Sequence, residues 1–461
     1  MRSLMNVLIA GGGPTGLTLA IELARRDIAV RVIDQADEYF QGSRGDGLQP
    51  RTLEVFEDLG ILDQVLAQGI PVPLLKVSLG GKPAGERRMG ELVEPTPDRP
   101  YPNGYLLGQS RTEAILRDRL AALGTSVELS TALVSFHQED DRVVAQLSTG
   151  ERVEADFLVG ADGGKSVVRK QLGIAFEGTT DDSFRMLLGD VSADGLDHDY
   201  GYWFAAADNP MDGIVMTPLS GGDQFQFGAP LGDLGLEPTL ETLQGLVDRY
   251  AGEGVAKLRD LTWSTVWRPN IRLAKHFRAG RVFIAGDAAH VHPPTGGQGL
   301  NTGVQDAYNL GWKLADGREE VLATYEPERR TNAARVLGLS EGLLQKHLDG
   351  DETALDRGED VRQLDISYRS PDATGPLTSG DRAPDSPLID ANGNNLRLFD
   401  LYRGPHETLL RFAPSTPTDH PYAVAITRET LPGSYTSPEA FSYYHAADGD
   451  EILIRPDGYL G

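Results

Sequence analysis

Val7-Leu8-Ile9-Ala10-Gly11-Gly12-Gly13-Pro14-Thr15-Gly16, followed by Val30-Arg31-Val32-Ile33-Asp34, decides the fold. The apolar run before the glycines reads as a parallel strand covered on both faces. The glycine turn breaks it. Leu17, Leu19, Ala20, Leu23 and Ala24 then supply the apolar stripe of a helix reaching about Arg26. Val30 to Ile33 is the second strand, and Asp34 closes it. Within this βαβ unit, Gly11-x-Gly13-x-x-Gly16 has the spacing of a dinucleotide fingerprint. Gly11 permits the tight turn, Gly13 lets the backbone approach a pyrophosphate, and Gly16 lets helix and strand pack closely. The pyrophosphate would meet free N–H groups and the positive end of the helix dipole. Asp34 would accept hydrogen bonds from a ribose. A glycine-rich turn without a ligand is the plainer alternative.

Two more strand-to-turn junctions carry chemistry. Phe157-Leu158-Val159-Gly160-Ala161-Asp162-Gly163 ends an apolar strand in Asp-Gly before a helix start, with Arg169 just beyond. Alone, it is an ordinary turn. Arg281-Val282-Phe283-Ile284-Ala285-Gly286-Asp287 delivers an aspartate to a strand edge, where it can bind a polyol hydroxyl. Pro293 to Leu300 is a proline- and glycine-rich turn that exposes backbone N–H groups before a helix expected over Asn301–Ala315. Those donors and the helix dipole would stabilise negative charge on a bound ring. His290 and His292 have metal-like spacing, but no third ligand stands nearby, so no metal is expected.

Elsewhere, Pro50–Leu66 and Ser110–Leu123 read as helices, and Ser126–Leu158 as a small β-meander. Residues 176–269 read mostly as strands, with Gln224-Phe225-Gln226-Phe227 alternating as in a sheet buried on one face. Tyr200, Tyr202, Trp203, Phe204, Met211, Met216, Phe225 and Phe227 could line an aromatic pocket; the plainer reading makes most of them sheet core. Residues 350–380 resemble a linker, and 380–461 a separate small α/β unit.

The chain has 461 residues, 40% hydrophobic and 24% charged, with 43 basic residues against 68 acidic and a net charge of -25. That balance argues against nucleic acid or an anionic membrane as partner. There is no cysteine, which excludes disulfides, thiolate metal sites and thiol catalysis. No apolar run approaches the about 20 residues that span a bilayer, and a cytoplasmic protein is expected.

The three junctions, in this order, resemble the class A flavoprotein monooxygenases, the aromatic hydroxylases of the para-hydroxybenzoate hydroxylase type. The resemblance extends over residues 5–340, and its nearest branch is the phenol and polyketide hydroxylases. It implies an α/β fold: a Rossmann-like FAD-binding domain (1–80, 102–175 and 270–345), an inserted mainly-β substrate domain (81–101 and 176–269), and a thioredoxin-like C-terminal domain (375–461). Gly380 to Pro384, Leu398 to Leu401 and Arg455 to Gly458 carry the last likeness; without a cysteine pair this domain has no disulfide chemistry, which leaves it a structural role.

By the same resemblance, Gly11, Gly13, Pro14, Thr15, Gly16 and Asp34 bind the ADP half of FAD. Asp162 serves FAD and NAD(P)H together, Gly286 and Asp287 hold the ribityl chain, and Arg44 and Gln109 approach the flavin. Pro294, Gly296, Gly299, Leu300 and Asn301 form the turn that stabilises the reduced ring. FAD is held non-covalently, NAD(P)H docks transiently, and O2 yields a flavin C4a-hydroperoxide that hydroxylates an aromatic, phenolic or polyketide-like small molecule. No catalytic side chain is assigned, because the oxidative step belongs to the cofactor. A homodimer stays open. The alternatives are a halogenase or prenyl-lipid reductase on this fold, or a non-catalytic flavin- or drug-sequestering protein. No tryptophan here stands in a Trp-x-Trp-x-Ile-Pro halogenase signature.

Overall fold

The computed structural model describes residues 5–181, 185–231, 235–293, 296–349 and 351–461. Its first body is a six-stranded sheet in the order Arg278–Ala279, Val282–Ile284, Phe157–Gly160, Asn6–Ala10, Ala29–Ile33, Val127–Glu128. All pairs are parallel except the outermost, between Arg278–Ala279 and Val282–Ile284. Val7, Leu8, Ile9, Leu158, Val159, Phe283 and Ile284 are buried, as runs apolar on both faces require. The helix Pro14–Ala24 packs between Gly299–Asp316 and Gln109–Ala122. Val127–Glu128 therefore joins the parallel sheet, and the meander is only Leu133–Gln138, Val143–Leu147 and Arg152–Ala155. The helix expected over Pro50–Leu66 is two, Pro50–Asp58 and Leu62–Gln68, broken around Gly60.

The second body is a seven-stranded sheet, ordered Lys257–Trp267, Met186–Asp194, Gln224–Pro230, Gly213–Pro218, Tyr200–Ala205, Leu74–Leu79, Lys82–Arg87. Leu74–Leu79 runs parallel to Tyr200–Ala205 and forms a hairpin with Lys82–Arg87. The boundary expected after residue 80 thus cuts a hairpin: Gly80-Gly81 is its turn, not a domain edge. Phe176–Thr180 pairs instead with Asn270–Ala274, in a small sheet beside the first body. Phe225 and Phe227 point under the helix Leu240–Ala251, which the strand-like reading of this region missed. Tyr202, Phe204 and Met216 join them as core, so the plainer reading of the aromatic cluster holds.

The stretch 350–380 is no loose linker. Val361, Arg362, Gln363 and Ile366 are buried, and Gln363 donates to Gln298 Oε1 at 2.6 Å. Beyond it a mixed sheet, with parallel and antiparallel pairs, and the short helices Leu398–Tyr402 and Pro438–Tyr443 enclose their own core of Leu388, Leu398, Phe412, Ile426, Phe441 and Ile454. This unit docks on the first body through buried ion pairs. Glu54 lies between Arg51 and Arg382, while Glu328 meets Lys313 and Arg455. Asn309 donates to Asp457 at 3.0 Å. No helix among the described residues is long and apolar enough to cross a membrane.

Candidate active site

Four strand ends meet along one edge of the parallel sheet. Ala10 is the register partner of both Ile33 and Gly160, and Gly160 that of Ile284. Gly11, Asp34, Asp162 and the Gly286-Asp287 turn therefore leave the sheet side by side, at the carboxyl ends where open α/β sheets bind ligands. Gly11 has φ +112°, and a Cβ there would stand 2.1 Å from the Ala161 carbonyl oxygen. Gly13 faces open space instead. The Gly12 N–H donates to Asp34 Oδ2 at 2.7 Å and the Ala36 N–H to Oδ1 at 2.9 Å, which orients the carboxylate beside the turn.

Two helix N-termini converge here. Pro14–Ala24 and Gly299–Asp316 both start without a side-chain cap and without an acidic residue in the first turn. Their leading N–H groups, at Thr15 and Gly16 and at Gly299, Leu300 and Asn301, are left for an anion or an electron-rich ring. Thr15 sets the approach of the two helices: a Cβ on Gly286 (φ +60°) or on Gly303 would come within 2.5 Å of Thr15 Oγ1. Beneath, the Gly286 N–H donates to Asp306 Oδ2 at 3.0 Å. Asp306 also meets His290 Nε2 at 2.6 Å and Arg329 Nε at 2.7 Å, all three fully buried. Burial opposes ionisation of Asp306, but His290 and Arg329 hold its carboxyl below the usual range. Asp287 opens into the cleft; the surrounding protein raises its carboxyl, against the pull of His290 and Arg44.

Asp162 Oδ2 accepts from the Val167 and Val168 N–H groups. Arg169 donates to Ala288 O at 2.8 Å and Gly164 O at 2.9 Å, which ties the second junction to the third. Gln109 and Leu300 meet at Gly45, where a Cβ would touch both at 3.7 Å. Arg44 is exposed at the cleft mouth, its guanidinium 5.0 Å from the Phe40 ring. Asn301 differs from expectation. Its side chain accepts from Gln49 N at 2.8 Å and donates to Gly47 O and Gly297 O at 2.7 Å, so only its backbone N–H faces a ligand. Gly296 accepts from Gln49 Nε2 at 3.1 Å. Pro294 lies outside the described residues.

Opposite stands the second face of the seven-stranded sheet, where Leu188 and Asp190 are buried and Val215, Gln226 and Gly228 half-buried. Asp190 and Gln226 are neighbours on it, followed by the row Leu188, Gly228 and Val215. The sequence reading gave none of these a role in the site, nor Ser43 and Asp46 opposite. Asp46 is a carboxyl pushed up to about 6 by burial, with Asp190 adding repulsion. Its signal was one acidic residue inside the glycine-rich run Gly45 to Gly47, which local pattern alone does not separate from a turn aspartate.

The FAD binding domain family matches residues 4–340. The chain belongs to this family of FAD-dependent monooxygenases. It is 43% identical to a flavin-dependent monooxygenase of Mycobacteroides abscessus, over 99% of this chain and 96% of that protein. It is 31% identical to pentachlorophenol 4-monooxygenase of Sphingobium chlorophenolicum, over 98% of this chain and 93% of that protein. Among solved structures it is similar to aklavinone-11 hydroxylase in a ternary complex with FAD and aklavinone, with TM-score 0.79 and 26% identity over 100% of this chain and 95% of that one. The residues of the flavoprotein fit the cofactor. Gly13 leaves room at the first helix terminus, and the buried Asp162 Oδ1 has no partner among the described residues.

Proposed function

We propose that this flavoprotein hydroxylates a phenolic or polyketide-like aromatic compound, held between the Asp190–Gln226 face of the seven-stranded sheet and the turns at Gly42–Gly47 and Gly296–Asn301. The observation that carries the reading is the pair of bare helix N-termini beside the turn Gly42–Gly47, which the Asp190–Gln226 face of the sheet holds through Ser43. FAD, bound non-covalently, would supply the oxygenation chemistry, with NAD(P)H as electron donor and O2 as oxygen source.

The turn Gly11–Gly16 and Asp34 would hold the ADP half, and Gly286 with Asp287 the ribityl chain. Arg44, Gln109 and Asp162 would border the ring. The first-turn N–H groups of Gly299, Leu300 and Asn301 would stabilise negative charge on its pyrimidine side, since they are fixed before that charge develops. Asp46, ionised at neutral pH, would accept a proton from a phenolic hydroxyl and raise the electron density of the substrate ring. Leu188 and Val215 would exclude water from the ring face. The C-terminal unit, read as thioredoxin-like, has a structural role supported by its ion-paired dock. A cytoplasmic location belongs to the same reading.

The test is turnover under 18O2 with phenols and anthraquinones. Substrate-stimulated NAD(P)H oxidation with one labelled oxygen in the product is the expected result. Basal oxidation that no aromatic compound accelerates, with no oxygen incorporated, would overturn it.

A further inference from the structure

The segment from Phe40 to Gln49 is a bridge with one anchor on each body. At its downstream end, Asn301 and Gln49 clamp it to the start of the Gly299–Asp316 helix. At its upstream end, three strands of the seven-stranded sheet hold it. Asp190 Oδ2 accepts from the Ser43 N–H at 2.7 Å, and Oδ1 accepts from the Ser43 hydroxyl. Gln226 Nε2 donates to Ser43 O at 3.0 Å and to Ser43 Oγ at 2.7 Å. Trp263 packs so closely on Gly42 that a Cβ there would fall 2.5 Å from its Cγ. Arg44, Gly45 and Asp46 lie between the anchors.

Asp190 and Ser43 are 4% and 3% exposed, so water contributes little to this contact. Asp190 has no ion-pair partner among the described residues. The whole carboxylate is thus committed to one serine of the facing body. A buried carboxyl without a cation is an unfavourable choice if the aim is only to join two bodies. The adjoining joints on the C-terminal side use arginine pairs instead.

We infer that Asp190, assisted by Gln226, is the positioning residue through which the substrate sheet sets the place of Arg44 and Asp46, resting on the reading of this cleft as the hydroxylase site. Substrate lying on the Leu188–Gly228 row touches the same strands that hold Ser43, so the sheet couples the two sides of the cleft through the four hydrogen bonds of Asp190 and Gln226 to Ser43. Arg44 and Asp46 thus keep their places because Ser43 is held on the sheet.

Hydrogen exchange on the FAD-loaded enzyme tests this without turnover, so it reads independently of whether any substrate is found. In Asp190→Asn, exchange in Gly42–Gly47 should rise about tenfold, the size expected for losing one hydrogen bond to a charged group. The strand Asn6–Ala10 and the helix Gly299–Asp316 should stay as protected as before. Turnover of an aromatic substrate should fall, since Asp46 is displaced with the bridge, while the flavin content stays intact, a split that plain loss of stability does not produce. Ser43→Ala, which keeps the backbone N–H, should show a smaller rise, and Asp190→Glu should restore part of the protection. Unchanged exchange in Asp190→Asn would overturn the assignment. So would a rise spread evenly over the chain, or a Ser43→Ala enzyme more mobile than Asp190→Asn.

Discussion

Carboxyl groups crowd both ends of the helix Gly299–Asp316, and the protein treats them in opposite ways. Facing its N-terminus, desolvation by the surrounding protein raises Asp46, Asp190 and the otherwise exposed Asp287, and no arginine sits close enough to reverse the effect. Along its C-terminal half and the adjoining dock, Glu54, Glu328 and Asp457 are also largely removed from water, yet Arg382 and Arg51, or Arg455 and Lys313, hold them low. The joint is compensated and the cleft is not. Carboxyls raised by desolvation weaken a fold at neutral pH, and the ion-paired joint avoids that cost.

The strongest way to break this contrast is to uncompensate the joint. Glu54→Ala would leave Arg51 and Arg382 buried without a carboxylate, and a loss of roughly 3–5 kcal/mol is expected from denaturant unfolding. An unchanged midpoint would show that the joint does not depend on its ion pairs. Next in size, Asp287→Ala should weaken FAD binding about tenfold to a hundredfold, as loss of a hydrogen-bonding charged group implies. Unfolding of the cofactor-free protein should barely change. Fluorescence titration with FAD reads the first, and wild-type affinity would contradict the placement of Asp287.

The pH dependence sharpens the contrast further. Glu54, Glu328 and Asp457 have folded pKa values below their unfolded ones, so their contribution is present above about pH 4 and is lost as the pH falls through the folded values. Asp46 has the opposite sign. Its folded pKa of about 6 lies above the unfolded value, so stability falls as the pH rises towards and through about 6. Acid should therefore expose the C-terminal unit first, seen as faster exchange in Thr408–Phe412 before Asn6–Ala10. Simultaneous loss of both would remove the distinction. The smallest effect is expected for Asp46→Asn. Stability should hold or rise by no more than about 1–2 kcal/mol, while the limb of the kcat profile near pH 6 disappears. A retained limb would assign it to another group.

The features that were legible in the sequence are short-range ones. Gly11 to Gly16 and the apolar runs at Val7, Phe157 and Val282 carry their own turn chemistry and periodicity, and the three junctions landed on adjacent strand ends. The Phe225 and Phe227 alternation likewise predicted which side is core. Misreadings arose where one local signal serves two structures. Gly80-Gly81 suits a hairpin as well as a boundary, and the polar stretch after residue 350 hides Gln363, which is polar and yet buried in a hydrogen-bonded cluster.

The sequence by itself determined that a βαβ unit would carry a glycine turn into a bare helix N-terminus, that no thiol chemistry is available, and that two further junctions would join the first. Only the tertiary structure decided that Ser43 would be held by Asp190 and Gln226, that the side chain of Asn301 would be a clamp, and that Glu54 would meet Arg382. The physical reason is range. Turns and amphipathic stripes are set by neighbours a few residues away, whereas these contacts join positions 147, 183, 252 and 328 residues apart. They exist only once two sheets and a C-terminal unit have packed around one helix.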